Sequence, residues 1–377
     1  MRPRPSRRHR PTARLGAAGA AALVMVAAGC SGGHGPAVRA AADSPRPLHG
    51  VPLTGPTRLR LLLPSSPPTL LDVDAGTSQT VVGLPEPADR LFWVQPVGAD
   101  AVIAATKVCD DCVPASEVFV VRRGTTTATA VGEGWDVAPS RDGRGLWLLC
   151  YTDATSCTLR EVGLDGRPRR PARRVSCGIQ PREETPLGLL AWTSAPDRNG
   201  PVTSALLDPD DGRPLLRFPQ IHAVVGELVL SSGAGDQGPF TITDRRTGTR
   251  QQVARPSGVG PASDGLVSPD QRHVAISFEN PAWPGTNAQV MDVWLLDLVG
   301  RRWRRLPAMP VLAELKFTSM AWTDDGRLLL LGSFGGVGDA LAVWRPGQDR
   351  LAVRPIPLPP DRADAFVAWD ASPAAGR

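Results

Sequence analysis

An all-β fold, a seven-bladed β-propeller closed by its own last strand, is predicted by three observations. A β-type run, a tight turn ending in glycine and a second β-type run recur along the chain. Glycine and proline are abundant, 39 of each in 377 residues. The chain end, Ala365-Phe366-Val367-Ala368-Trp369-Asp370, matches the first strand of the repeat, as in Met320-Ala321-Trp322-Thr323-Asp324. So many turn-formers exclude a coiled coil, and the lack of a three-residue glycine period excludes collagen. Hydrophobic residues make up 42%, enough to bury a core, which sets the chain apart from disordered ones.

The repeat is read from its glycines. Thr69 to Gly76, Val118 to Gly124, Leu159 to Gly166, Ala205 to Gly212, Phe240 to Gly248, Val293 to Gly300 and Leu341 to Gly347 each run from a strand into a turn. Successive glycines lie 48, 42, 46, 36, 52 and 47 residues apart. A hairpin turn needs a positive φ, which glycine adopts without steric cost. A period of about 40 to 50 residues with several strands per unit is the mark of a propeller. The first unit holds candidate strands at residues 59–63, 69–73 and 79–82, one short of four. A strand donated by residues 365–370 completes it and removes the open edge.

Further strands fall in register with the ladder. Ser140-Arg141-Asp142-Gly143 precedes Leu146-Trp147-Leu148-Leu149, Ser268-Pro269-Asp270 precedes Val274-Ala275-Ile276, and Thr323-Asp324-Asp325-Gly326 precedes Leu328-Leu329-Leu330-Leu331. These stretches, with Val293-Trp294-Leu295-Leu296-Asp297, resemble TolB-like propeller repeats over roughly residues 57–370. The resemblance implies the fold and no particular activity. The units near Gly76 and Gly212 depart from it, and the fourth unit's first turn, Pro181 to Pro186, lacks it altogether.

The N-terminus reads as an address. Six arginines among residues 1–29 precede an apolar run from Leu15 to Ala28, too short to span a bilayer. Val26-Ala27-Ala28-Gly29-Cys30 resembles the lipobox of bacterial lipoproteins, which implies that the Cys30 thiol receives a diacylglyceryl group and becomes the mature N-terminus. Residues 1–29 are therefore expected to be a lipoprotein signal peptide, 30–56 a lipidated flexible tether and 57–377 the propeller domain. Of the formal charge of +5, the first 29 residues carry +6, leaving the remainder at −1. A near-neutral body gives no electrostatic reason to expect nucleic acid as a partner.

Export exposes thiols to an oxidising compartment, so disulfides are expected. Cys109-Asp110-Asp111-Cys112 sits between two apolar strands and is read as a disulfide at a hairpin tip. A redox site would need this motif to open a helix, and none is indicated. Cys150 and Cys157 flank another hairpin loop and are also disulfide candidates, which leaves Cys177 single.

No catalytic constellation stands out. The domain offers His222 and His273, and Tyr151 is the sole tyrosine, few groups for acid–base work. Asp208-Pro209-Asp210-Asp211-Gly212 lacks the alternating ligand pattern of a calcium loop and reads as a solvated turn. Most tryptophans, such as Trp294, Trp322 and Trp344, fall within strands; Trp283 sits in the proline-rich insertion Asn280 to Gly285 and is the candidate partner contact. The expected role is a binding or scaffold module, lipid-anchored on the extracytoplasmic face of the membrane. Its expected partners are the membrane, through Cys30, and envelope proteins; no cofactor, metal or catalysis is expected. The alternatives are an exported hydrolase or lyase with its site at the central channel, or a sensory accessory to an envelope system.

Overall fold

The computed structural model describes residues 43–108, 115–152, 156–194, 202–233, 238–281, 288–359 and 365–370. Among them the chain is nearly all β, with one 3-10 turn at Pro87–Asp89. β1 (Val51–Pro52) stands before the repeat. Then come β2 (Leu59–Leu63), β3 (Thr69–Asp72) and β4 (Thr77–Thr80). A second meander is β5 (Arg90–Val97), β6 (Asp100–Lys107), β7 (Ser116–Val121) and β8 (Ala128–Gly134). A third is β9 (Asp136–Pro139), β10 (Gly145–Tyr151), β11 (Ser156–Gly163) and β12 (Arg173–Ser176). A fourth is β13 (Ile179–Thr185), β14 (Gly188–Thr193), β15 (Thr203–Leu207) and β16 (Pro214–Phe218). The fifth is β17 (Gln220–Val225), β18 (Leu228–Ser232), β19 (Phe240–Asp244) and β20 (Arg250–Val253). The sixth is β21 (Leu266–Val267), β22 (His273–Phe278), β23 (Ala288–Asp297) and β24 (Arg302–Arg305). The last is β25 (Val311–Trp322), β26 (Leu328–Phe334), β27 (Gly338–Trp344) and β28 (Ala352–Pro355), followed by β29 (Val367–Asp370).

Five of the sheets are four-stranded and antiparallel, and the β21–β24 and β25–β28 meanders merge because the start of β23 pairs with the start of β25. This is a propeller-like array. β29 pairs antiparallel with β2, Leu61 opposite Ala368, so residues from the two ends of the chain share one sheet. Each ladder glycine lies between the third and fourth strands of its meander. Six of the seven have positive φ, and at the β23–β24 turn the left-handed position falls to Arg301 (φ 53°) instead of Gly300. At the first hairpins a short hydroxyl side chain binds the aspartate two residues on, Ser140 to Asp142 at 2.8 Å and Thr323 to Asp325 at 2.6 Å, the local bonding that makes these residues turn-formers.

Strands such as β6 and β26 are buried along nearly their whole length because neighbouring sheets cover both faces. Leu62, Phe92, Val94, Val367 and Trp369 join the β2–β4 and β5–β8 sheets, and Leu59, Leu61, Leu329 and Leu341 join the first sheet to the last. Trp344 and Trp147 are fully buried, as packing residues.

Two expectations are corrected here. The fourth unit's first turn is not at Pro181 to Pro186, because β13 itself runs through Thr185; the turn falls at Pro186 and Leu187 and still lacks the aspartate of the other first hairpins. Residues 43–53 are no free tether. Arg46 bonds Pro310 and Leu312, Leu48 bonds Gly335 and is 2% exposed, and β1 adds in parallel to β28. The apolar Leu48, in a stretch otherwise small and proline-rich, fills a gap among Leu306, Met309, Val311 and Leu351.

Candidate functional site

The first strands of the meanders adjoin one another: β29 contacts β5 and β25, β25 contacts β21, β21 contacts β17, and β9 contacts β13. The chemistry-bearing side chains of this inner set arise from two irregularities. Register slips between Pro181 and Glu183 on β13, and between Ile221 and Ala223 on β17, leaving Arg182 and His222 out of the ladder. A bulge of this kind re-aims one side chain. Arg182 pairs at 2.7 Å with Asp264, just before β21, with all of β17–β20 between them in the chain, and its guanidinium lies 4.7 Å from the centre of the Trp192 ring.

His222 is locked. Its Nδ1 is 2.9 Å from the Ser263 carbonyl oxygen, which only accepts, so Nδ1 carries the hydrogen; Nε2 is 2.9 Å from the Ser232 hydroxyl. A serine hydroxyl on a histidine nitrogen is the first element of a nucleophilic pair. Here Ser232 is 4% and His222 1% exposed, beyond the reach of a substrate. Three further inner-strand side chains are committed to neighbouring backbone: Gln95 to Val137, Gln220 to Ala262 and Trp322 to Leu266.

Glu183 differs. Its side chain meets solvent, yet protein hems it in, and no described group donates a hydrogen bond to it. Loss of bulk water raises its pKa, Arg182 pulls it back and Asp264 pushes it up. Asp264 is likewise raised by burial, against the pull of Arg182. The cluster thus holds one guanidinium between two carboxyls that keep protons more readily than usual, an arrangement suited to holding a proton or a cationic group.

A second polar cluster lies at the hairpin-turn ends. Buried Glu161 takes Arg169 and Arg170, each at 2.9 Å, and Arg169 also binds Asp142 at 2.6 Å. Arg169 holds the Asp142 carboxyl far below the usual range, whereas burial raises that of Glu161. Asp142 and Arg169 line a cleft of about 720 Å³ with Asp100, Arg122, Arg144 and Arg167. Most of its charges are paired within the turns that form it.

Among the sequence candidates, Cys30, Cys109, Cys112 and Trp283 lie outside the described residues. The pairing of Cys150 with Cys157 is corrected. Cys157 is bonded to Cys177, and Cys150 keeps a free, half-buried thiol that donates to the Glu133 carbonyl. The register explains it: Cys150 faces Thr158 and Cys157 faces Tyr151, so the two sulfurs lie on opposite faces of the sheet. Cys157 opposes Val175 on the other side, two residues from Cys177. Asp208 to Gly212 is a hairpin turn whose carboxylates bind the Asp210 N–H, Arg170 and Arg213. His273 lies against Asp270 at 3.6 Å, away from Arg182 and His222. Arg182, Glu183 and Asp264 went unnoticed in the sequence; the signal was a charged run, Arg182-Glu183-Glu184, where an inner strand belongs.

No family profile and no curated protein sequence matches the chain. Solved structures do. Prolyl oligopeptidase B from Galerina marginata, bound to a 35mer hydrolysis and macrocyclization substrate, superposes with a TM-score of 0.54 at 11% identity, covering 79% of this chain and 49% of that one. A prolyl endopeptidase structure gives 0.55 at 11% identity, over 81% and 50%. TolB from Acinetobacter baumannii gives 0.40 at 13% identity, over 78% and 65%. The chain spans about half the length of the two peptidases. At such identities the likeness is one of propeller fold alone.

Proposed function

We propose that this chain is a lipid-anchored, extracytoplasmic propeller of seven blades that works as a binding or scaffold module for protein partners in the cell envelope. Seven groups of four strands, with β29 seated beside β2, support the blade count and closure by the C-terminal strand. The lipobox-like segment ending in Cys30 supports the anchor. The observation that carries the reading is the commitment of several inner-strand polar groups, Glu183 excepted, to protein partners. Arg182 is engaged with Asp264, His222 with Ser232 and Ser263, and Gln95 and Gln220 with neighbouring backbone. Groups so engaged stiffen the ring and leave recognition to its connecting loops. Trp283, between β22 and β23, is the proposed contact residue.

The test combines capture and turnover. Wild type and Trp283→Ala are cross-linked in intact envelopes after matching their melting temperatures. Loss of specific cross-linked partners with Trp283→Ala supports the reading; identical partners and yields remove Trp283 from it. One observation favours the second reading, an exported hydrolase or lyase: the uncommitted Glu183 beside Asp264. If a substrate screen finds turnover that Glu183→Gln abolishes, the enzyme replaces the scaffold.

A further inference from the structure

We infer that the ends of the sheets on which residues 43–48 are seated face a lipid bilayer, and that the hairpin-turn ends face away from it. This rests on the lipid anchor at Cys30 proposed above. The first described residue, Asp43, is held at once: its carboxylate pairs with Arg305 and its carbonyl accepts from Asn280 Nδ2 at 2.9 Å. Arg46 then bonds Pro310 and Leu312, and Leu48 bonds Gly335. Asn280 follows β22, residues 310–312 open β25, and Gly335 lies between β26 and β27. All three mark the same ends of their strands, those opposite the first hairpins at Asp270 and Asp325.

Only residues 31–42 separate Cys30 from this seat. Twelve residues extend to at most about 43 Å. A body of this length has a radius of gyration near 20 Å and is about 50 Å across. The leash is therefore shorter than the body, and the seated end is the one that it keeps close to the lipid. The same strand ends expose two neighbouring apolar side chains, Leu91 (65% exposed) and Val108 (54%), at the start of β5 and the end of β6. The cleft lined by Asp100, Arg122, Asp142, Arg144 and Arg167 is built from turns at the other ends and stays open to the aqueous side. Had residues 43–53 been a free tether, the leash would double and impose no such orientation.

The test uses the full-length lipidated protein in phosphatidylcholine vesicles that carry an acceptor dye on the lipid headgroup. A donor dye is placed through an azido residue at Leu91 or at Arg167, which leaves the native cysteines untouched. Energy transfer is expected to be about twofold or more higher from Leu91 than from Arg167, and a flexible Gly/Ser insert of about 30 residues after Ala40 should erase most of that difference. Equal transfer from the two sites in vesicles that float with the protein overturns the orientation while leaving the anchor standing. A difference that survives the insert overturns the leash as its cause. Wild type that does not float, like Cys30→Ser, overturns the anchor and the orientation together.

Discussion

Deleting residues 365–377 should unfold most of the domain, whereas deleting residues 31–42 should leave it intact. The deleted strand carries Phe366, Val367 and Trp369, which are 4%, 2% and 5% exposed. Burying three such side chains is worth about 1.5–3 kcal/mol each, or about 4.5–9 kcal/mol together as an upper figure. Removal also breaks the β29–β2 ladder and the bonds from Arg327 (2.6 Å) and Arg123 (2.5 Å) to Asp370. Domains have about 5–15 kcal/mol in total, so a large share of the stability sits in one four-residue strand and its lead-in. Scanning calorimetry should show a Tm lower by at least about 9 °C, or no cooperative transition. Deleting residues 31–50 should give an intermediate result, because it removes buried Leu48, worth about 2–3 kcal/mol. Equal melting temperatures for the mature domain and the 365–377 deletion would refute the reasoning, since a ring held elsewhere would not need β29.

Cys157→Ser should lower stability by about 3 kcal/mol, the loop-closure value for about 20 residues, while Cys150→Ser changes it little; denaturant melts and peptide mapping of the alkylated protein check both. Glu183→Gln should stabilise the domain at pH 7, because the raised pKa means that the folded state penalises the ionised carboxyl. That gain should fade as pH falls from the raised folded-state value to the unfolded value near about 4.3, and be gone below it; a pH-independent gain in thermal melts counts against the cause. Asp74 works in the opposite sense. Burial alone would raise its pKa, but the Thr57 and Arg58 N–H groups, the Thr57 hydroxyl and Arg354 hold it at about 2. Its stabilisation is present above about pH 4 and lost as pH falls towards 2, and Asp74→Asn should flatten that part of the stability–pH curve.

The fold was legible because the turn chemistry is local. Gly76, Gly124, Gly166, Gly212, Gly248 and Gly347 take the left-handed turn conformation that their sequence positions required. The sharing of one sheet by β2 and β29 was legible from the likeness of residues 365–370 to an inner strand. What stayed hidden depends on partners distant in sequence. Leu48 looked like one apolar residue in a linker until the gap beside Leu306 and Leu351 received it. Cys157 looked like the partner of Cys150 because spacing shows proximity and not the face of the strand; strand register decides that. Arg182 and Asp264 are separated in the chain by all of β17–β20, and nothing in either local sequence points to the other. The bulges that turn Arg182 and His222 out of their ladders are set by the pairing with β14 and β18.

The proposed anchoring of the propeller to the membrane by its first mature residue is tested by the intact mass of the protein purified from membranes. The expected result is a chain beginning at Cys30 with a thioether-linked diacylglyceryl group, and none of that mass on Cys30→Ser. An unmodified Cys30 thiol in membrane-derived protein, or a mature chain that starts elsewhere, would contradict it.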